Sequence, residues 1–104
     1  MRKEFNTLNG TCHVIFSLPK EVTDNISSVV VMGDFSEWHP IPMFIQEDGT
    51  FMVEIEIPTG HDYHFRYQID NHHWENDWSA DRYETSPVYP HIENSVLSLL
   101  HEKV

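Results

Sequence analysis

Apolar and polar residues alternate along most of this chain with a period of two. Cys12, Val14, Phe16 and Leu18 alternate with His13, Ile15 and Ser17 until Pro19, which predicts a half-buried strand. Ile26 to Met32 is almost continuously apolar, which predicts a strand buried on both faces and ended by Gly33. Phe51, Val53, Ile55 and Ile57 alternate with Met52, Glu54 and Glu56. Tyr63, Phe65, Tyr67 and Ile69 alternate with His64, Arg66 and Gln68, so an aromatic row facing the core leaves Arg66 facing outward. Shorter strands are predicted at Met43 to Gln46 and Ser95 to Leu100, and a short strand or bend at Trp74 to Trp78.

Breaker residues separate these runs. Lys20 to Asn25 reads as a polar connection, and Ser36 to Pro42, with two prolines, as a loop. Glu47-Asp48-Gly49 reads as a hairpin turn in which Gly49 supplies a positive φ. Pro58-Thr59-Gly60 is a second turn, Ser79 to Glu93 a long loop, and Leu99 to Val104 a fraying end. About seven short strands with no convincing helix predict an all-β fold, an immunoglobulin-like antiparallel β-sandwich. A chain of 104 residues suffices for one core, so 1–104 is expected to form a single domain.

Charge narrows the range of partners. A formal net charge of −11, with only six Lys and Arg, opposes binding to nucleic acid or an anionic membrane surface. No run approaches the roughly 20 apolar residues of a membrane span, and the opening Met-Arg-Lys-Glu-Phe-Asn-Thr has no apolar stretch behind it to make a secretory signal. A cytoplasmic location is the expectation. Cys12 is the only cysteine and lies in an apolar strand, which predicts a buried, inert thiol.

Two tryptophans carry the candidate chemistry. Trp38 follows Gly33-Asp34 and Trp74 follows the aromatic strand, so both are delivered at loop positions above a sheet. Rings held in that way can take the flat C–H face of a pyranose while polar neighbours take its hydroxyls. The structural alternative for each is a ring that caps the end of the sandwich. For Arg66 the alternative is a surface ion pair with one of the 17 acidic residues. Trp78 reads as packing over a sheet edge, or else as widening the platform with Asn76 and Asp77 as hydroxyl partners.

Four elements in order now carry a resemblance: Gly33-Asp34-Phe35 with Trp38, Phe65-Arg66-Tyr67-Gln68-Ile69-Asp70-Asn71, Trp74 with Asp77, and Glu93-Asn94-Ser95-Val96. The chain resembles the isoamylase early-set, or glycogen-binding, modules of carbohydrate-binding module family 48. Ser36 stands where the family commonly has Asn, Asn71 where it has Gly, and the turn before Trp74 carries an extra residue. The resemblance implies glucan contacts by Trp38, Arg66 and Trp74, with Asn94 as a further polar contact. It implies an α-1,4-glucan ligand, an oligosaccharide or a polysaccharide such as glycogen. Contacts of about 1 kcal/mol each predict weak binding. A second expectation is a protein-interaction module that has lost its sugar site and binds a glycogen-metabolising enzyme. The Tyr83 to Asn94 loop separates the two, according to whether its bulk covers the tryptophans.

Other chemistry is not indicated. His72 and His73 are adjacent and would face opposite sides of a strand, while His61 and His64 have no carboxylate or third His at ligand spacing, so no metal and no cofactor is expected. No nucleophile elbow or phosphate loop occurs, no paired catalytic carboxylates are marked, and the barrel that often accompanies such modules is absent. The chain is expected not to be an enzyme.

Overall fold

The computed structural model describes residues 1–100. The fold is all-β, with two antiparallel sheets packed as a sandwich in an arrangement compatible with an immunoglobulin-like fold. In chain order the strands are β1 (Arg2–Asn6), β2 (Thr11–Leu18), β3 (Val29–Gly33), β4 (Ile41–Pro42), β5 (Phe44–Ile45), β6 (Phe51–Pro58), β7 (Asp62–Ile69), β8 (His73–Glu75), β9 (Arg82–Thr85) and β10 (Glu93–Ser98). One sheet runs β1-β2-β6-β5, the other β4-β3-β7-β10-β9 with β8 paired to β7.

The alternation in the sequence becomes the two faces of each sheet. Cys12, Val14, Phe16 and Leu18 of β2 meet Phe65, Tyr67 and Ile69 of β7 in one buried cluster. Phe16 and Phe65 meet edge to face at 5.2 Å, a favoured aromatic geometry. Cys12 is fully buried, and burial pushes its thiol pKa up. Among the described residues no helix is long and apolar enough to cross a membrane.

Several segments depart from the sequence expectation. The described residues form ten strands where seven were expected, because β1, β4 and β9 were not expected. The segment before Val29 is not strand, and β3 buries Val29 and Val31 while Val30 and Met32 are half-buried, so its outer face is uncovered. Lys20–Thr23 forms one α-helical turn, α1, whose Val22 packs on the core and whose Thr23 is buried. The chain switches sheets at buried Met43, between β4 and β5, so the strand expected over Met43 to Gln46 is reduced to Phe44–Ile45. Leu99 is fully buried, with its N–H bonded to the His61 carbonyl at 2.9 Å, so the expected fraying does not include it. The rest of that segment beyond Leu100 lies outside the described residues.

A buried polar knot joins the sheet to the Asn76–Ser79 bend. Tyr67 donates to Asp77 Oδ2 at 2.5 Å, the Asp77 N–H donates to Ser95 Oγ, and Ser95 N–H and Oγ both donate to Asn76 Oδ1. Asn76 and Asp77 are therefore consumed by structure and are not the hydroxyl partners weighed from the sequence. Burial first, then the Asp77 carboxylate, pushes the Tyr67 phenol pKa well above its usual value. A raised folded-state pKa contributes stability that is complete below the unfolded value of about 10 and is lost as pH rises through the folded value. Tyr67→Phe is expected to cost about 1–3 kcal/mol near neutrality. In urea titrations at rising pH, it should also flatten the alkaline loss of stability.

Candidate functional site

The Gly33–Trp38 turn is built around a close approach. Gly33 is extended, with φ −168°, and a Cβ there would lie 2.6 Å from the His64 carbonyl oxygen and 2.7 Å from Phe65 Cβ. Only the missing side chain lets the turn sit this tightly on β7. Phe35 then packs against Phe16 with ring centroids 5.3 Å apart, anchoring the turn to the core. Ser36 closes the turn by accepting the Gly33 N–H at 3.3 Å and donating to the His39 carbonyl at 2.9 Å.

Trp38 leaves that turn on the outer side. Glu37 and Trp38 are both left-handed, with φ +54° and +61°, a conformation that costs a side-chain-bearing residue about 1–2 kcal/mol. Asp34 holds the geometry in place. Its Oδ1 accepts the Trp38 indole N–H at 2.9 Å, and its Oδ2 accepts the His64 backbone N–H at 2.7 Å. The indole's polar edge is thus satisfied internally, which leaves its face as the group available for contact.

Register delivers the second ring. β7 and β8 pair Ile69 with His73 and Gln68 with Trp74, leaving the three-residue turn Asp70–His72 between them. Within it Asp70 and Asn71 are left-handed, at φ +51° and +66°. Asp70 also ties the turn to β3 by accepting the Ser27 and Ser28 N–H groups. Trp74 opposite Gln68 lies diagonally beside Arg66 on the outer face, within reach of a long side chain.

Arg66 is held by aromatic faces. Its guanidinium carbon is 4.4 Å from the Trp74 ring centroid and 5.9 Å from that of Trp38. Rings flank it, and among the described residues it makes no ion pair of the kind considered from the sequence. Burial lowers its pKa from the ordinary guanidinium value. Its Nε is buried without a hydrogen-bond partner.

Arg66 and Trp38 line a cleft of about 340 Å³ together with Asp34, His64, Asn94 and the turn Ser86–Tyr89. Trp74 does not line the cleft and joins the site through Arg66. The Tyr83 to Asn94 segment contains β9 and then a turn in which Ser86 Oγ accepts the Val88 and Tyr89 N–H groups. That turn walls the cleft with exposed Val88 and Tyr89, leaving Trp74 39% exposed and Trp38, which lines the cleft, half-buried.

Asn94 differs from its expected role. It is buried, and its Nδ2 is spent on His64 Nδ1 at 3.1 Å. The end of the amide without a partner is Oδ1, an acceptor, whereas a donor was expected. His64 in turn bonds Glu84 through Nε2 at 2.9 Å, and Glu84 is also held by Arg82 Nε at 2.7 Å. Hydrogen bonds from Arg82 first and His64 second hold the Glu84 carboxyl below the usual carboxylate range. His64, Asp34 and Glu84 were missed as site residues, because only the β9-β10-β7 pairing brings a carboxylate 20 residues away onto the histidine.

Trp78 is 62% exposed and points its indole N–H to Glu75 at 3.4 Å, away from the residues lining the cleft. Among the described residues no three His, Cys, Asp or Glu side chains form a group able to hold a metal ion. No protein-family model and no curated protein matches this chain.

Proposed function

We propose that this protein is a non-catalytic, cytoplasmic module that binds α-1,4-glucan, with Trp38 and Trp74 stacking on glucose rings and Arg66 and Asn94 bonding hydroxyls. The observation that carries the reading is the Trp38–Arg66–Trp74 cluster on the outer face of the sheet, beside an open cleft. The order of its motifs, which resembles the glycogen-binding modules, supports the same ligand class. A net charge of −11 suits a neutral polymer better than an anionic one.

The stacked guanidinium is fixed before any ligand arrives, so little side-chain freedom remains to be lost on binding. Weak single-chain affinity is compatible with use on a branched polymer, where many chain ends raise the effective concentration. Titration with maltoheptaose or β-cyclodextrin, followed by tryptophan fluorescence and backbone amide shifts, is expected to perturb Trp38, Arg66 and Trp74 at millimolar sugar. No response at that concentration would remove the glucan reading.

A second reading, a protein-interaction module serving a glycogen-metabolising enzyme, rests on β5. This short strand ends its sheet, with Phe44 and Ile45 63% and 64% exposed. An apolar sheet edge of this kind can accept a partner strand.

A further inference from the structure

We infer that the outer face of the β1-β2-β6-β5 sheet, on the side of the sandwich away from Arg66, docks a basic amphipathic segment of a partner protein. The inference uses none of the glucan residues and stands whether or not sugar binds. β2 sends Cys12, Val14, Phe16 and Leu18 into the core, so His13, Ile15 and Ser17 face out. Register then fixes what stands beside them. Met52 of β6 pairs with Ser17 and with Phe44 of β5, Glu54 pairs with Ile15, which also pairs with Arg2 of β1, and Glu56 pairs with His13, which also pairs with Glu4. Cross-strand partners share a face. The outer surface is therefore apolar at one end and carries a belt of carboxylates beside it.

At the apolar end Phe44 is exposed next to half-buried Met52. Ile15 is buried although it faces out, and with Met1, Arg2, Ser17, Met52 and Glu54 it lines a hollow of about 290 Å³. An apolar hollow beside an exposed ring, with charge around it, is the arrangement that takes an anchoring side chain from a partner. Met52 can adjust its unbranched side chain to the shape of that anchor.

Charge selects the partner's sign. Glu4, Glu54 and Glu56 are exposed on this face, and Glu47 and Asp48 add to them at the turn after β5. The nearby cations are Arg2, which meets Glu4 at 3.1 Å, and Lys20, whose side chain lies beside Gly49. His13 lies 3.4 Å from Glu54, and Thr11 donates to Glu56 at 3.2 Å. Exposed contacts of this kind are worth little, so a partner's Lys or Arg can replace them at small cost. A second copy would set the same carboxylates against one another, which opposes self-association through this face. Four strands span about 15–20 Å, room for one helix about 10 Å across.

The test uses a synthetic amphipathic helix of Leu and Lys, beside the same peptide with Glu in place of Lys and a scrambled Leu/Lys peptide of equal composition. Backbone amide and methyl NMR shifts of the whole chain locate the binding. With the Leu/Lys helix, shifts are expected to cluster on Ile15, Phe44, Met52 and Glu54 and to fade as salt rises. The Leu/Glu and scrambled peptides should leave that cluster unmoved. The exposed-site double variant Phe44→Ser/Glu54→Lys is expected to bind the Leu/Lys helix on the order of tenfold more weakly. Glu93→Lys, an equal charge change per site on β10 of the other sheet, should stay within about twofold of wild type. Glu56→Lys gives the same comparison without touching an apolar contact, should the double variant not fold. Diffuse shifts, equal weakening by Glu93→Lys, or equal binding of the scrambled peptide would overturn the inference in favour of unspecific attraction to an acidic protein. Shifts confined to Phe44 and Ile45 and indifferent to Glu54→Lys would overturn it in favour of a strand added at the β5 edge. A concentration-dependent dimer in sedimentation, abolished by Phe44→Ser, would give the face to a second copy instead.

Discussion

Replacing Trp38 and Trp74 together with alanine is expected to abolish retention on glycogen while shifting the melting temperature by only a few degrees. Each ring offers a stacking face worth about 1 kcal/mol, and loss of both weakens association on the order of thirtyfold, beyond detection for a weak binder. Trp74 has a second part in this. Its ring is the face on which the Arg66 guanidinium lies at 4.4 Å, a contact worth about 0.5–2 kcal/mol. Trp74→Ala therefore releases Arg66 as well, and the losses from Trp74→Ala and Arg66→Ala should sum to more than the loss in the double variant. Affinity electrophoresis in glycogen-containing gels would measure the wild type and all four variants side by side. Unchanged retention of the Trp38/Trp74 double variant would sink the glucan assignment.

Gly33→Ala is expected to destabilise the fold by about 1–3 kcal/mol and to loosen Trp38 at the same time. The cause is not backbone conformation, because φ at Gly33 is extended and open to any residue. It is contact: a methyl group would meet the His64 carbonyl oxygen at 2.6 Å and Phe65 Cβ at 2.7 Å, and the first of these is backbone that cannot swing aside. Relief requires β3 or the turn to lift from β7, which strains the Asp34 bond to the His64 N–H and, through it, the indole bond to Trp38. Chemical denaturation and the Trp38 indole proton resonance would report the two effects. A variant with wild-type stability and an unmoved indole signal would refute this account.

The strands carrying the core were legible because each is a local pattern. Phe16, Phe65 and Tyr67 fall on inward positions of period-two runs and are buried as that period requires. β9 was not legible, since Arg82–Thr85 carries no apolar alternation and exists as a strand by virtue of its pairing with β10. β1 was hidden in the same way: Arg2–Asn6 is charged and polar apart from Phe5, and pairing with β2 makes it a strand. Edge strands lean on a neighbour's hydrogen bonds more than on their own burial, so their sequences need say little.

The site divides along the same line. By itself the sequence determined that Arg66 faces outward and that Trp38 follows the turn at Gly33-Asp34, because strand period and turn chemistry are properties of neighbouring residues. Only the tertiary structure decided that Trp74 lies under Arg66, that Asn94 Oδ1 is a buried acceptor without a partner, and that His64 is wired to Glu84. Those facts depend on the register of β7 against β8 and of β10 against β9. Register between strands is set by the packing of the whole sandwich, which no local stretch of residues encodes.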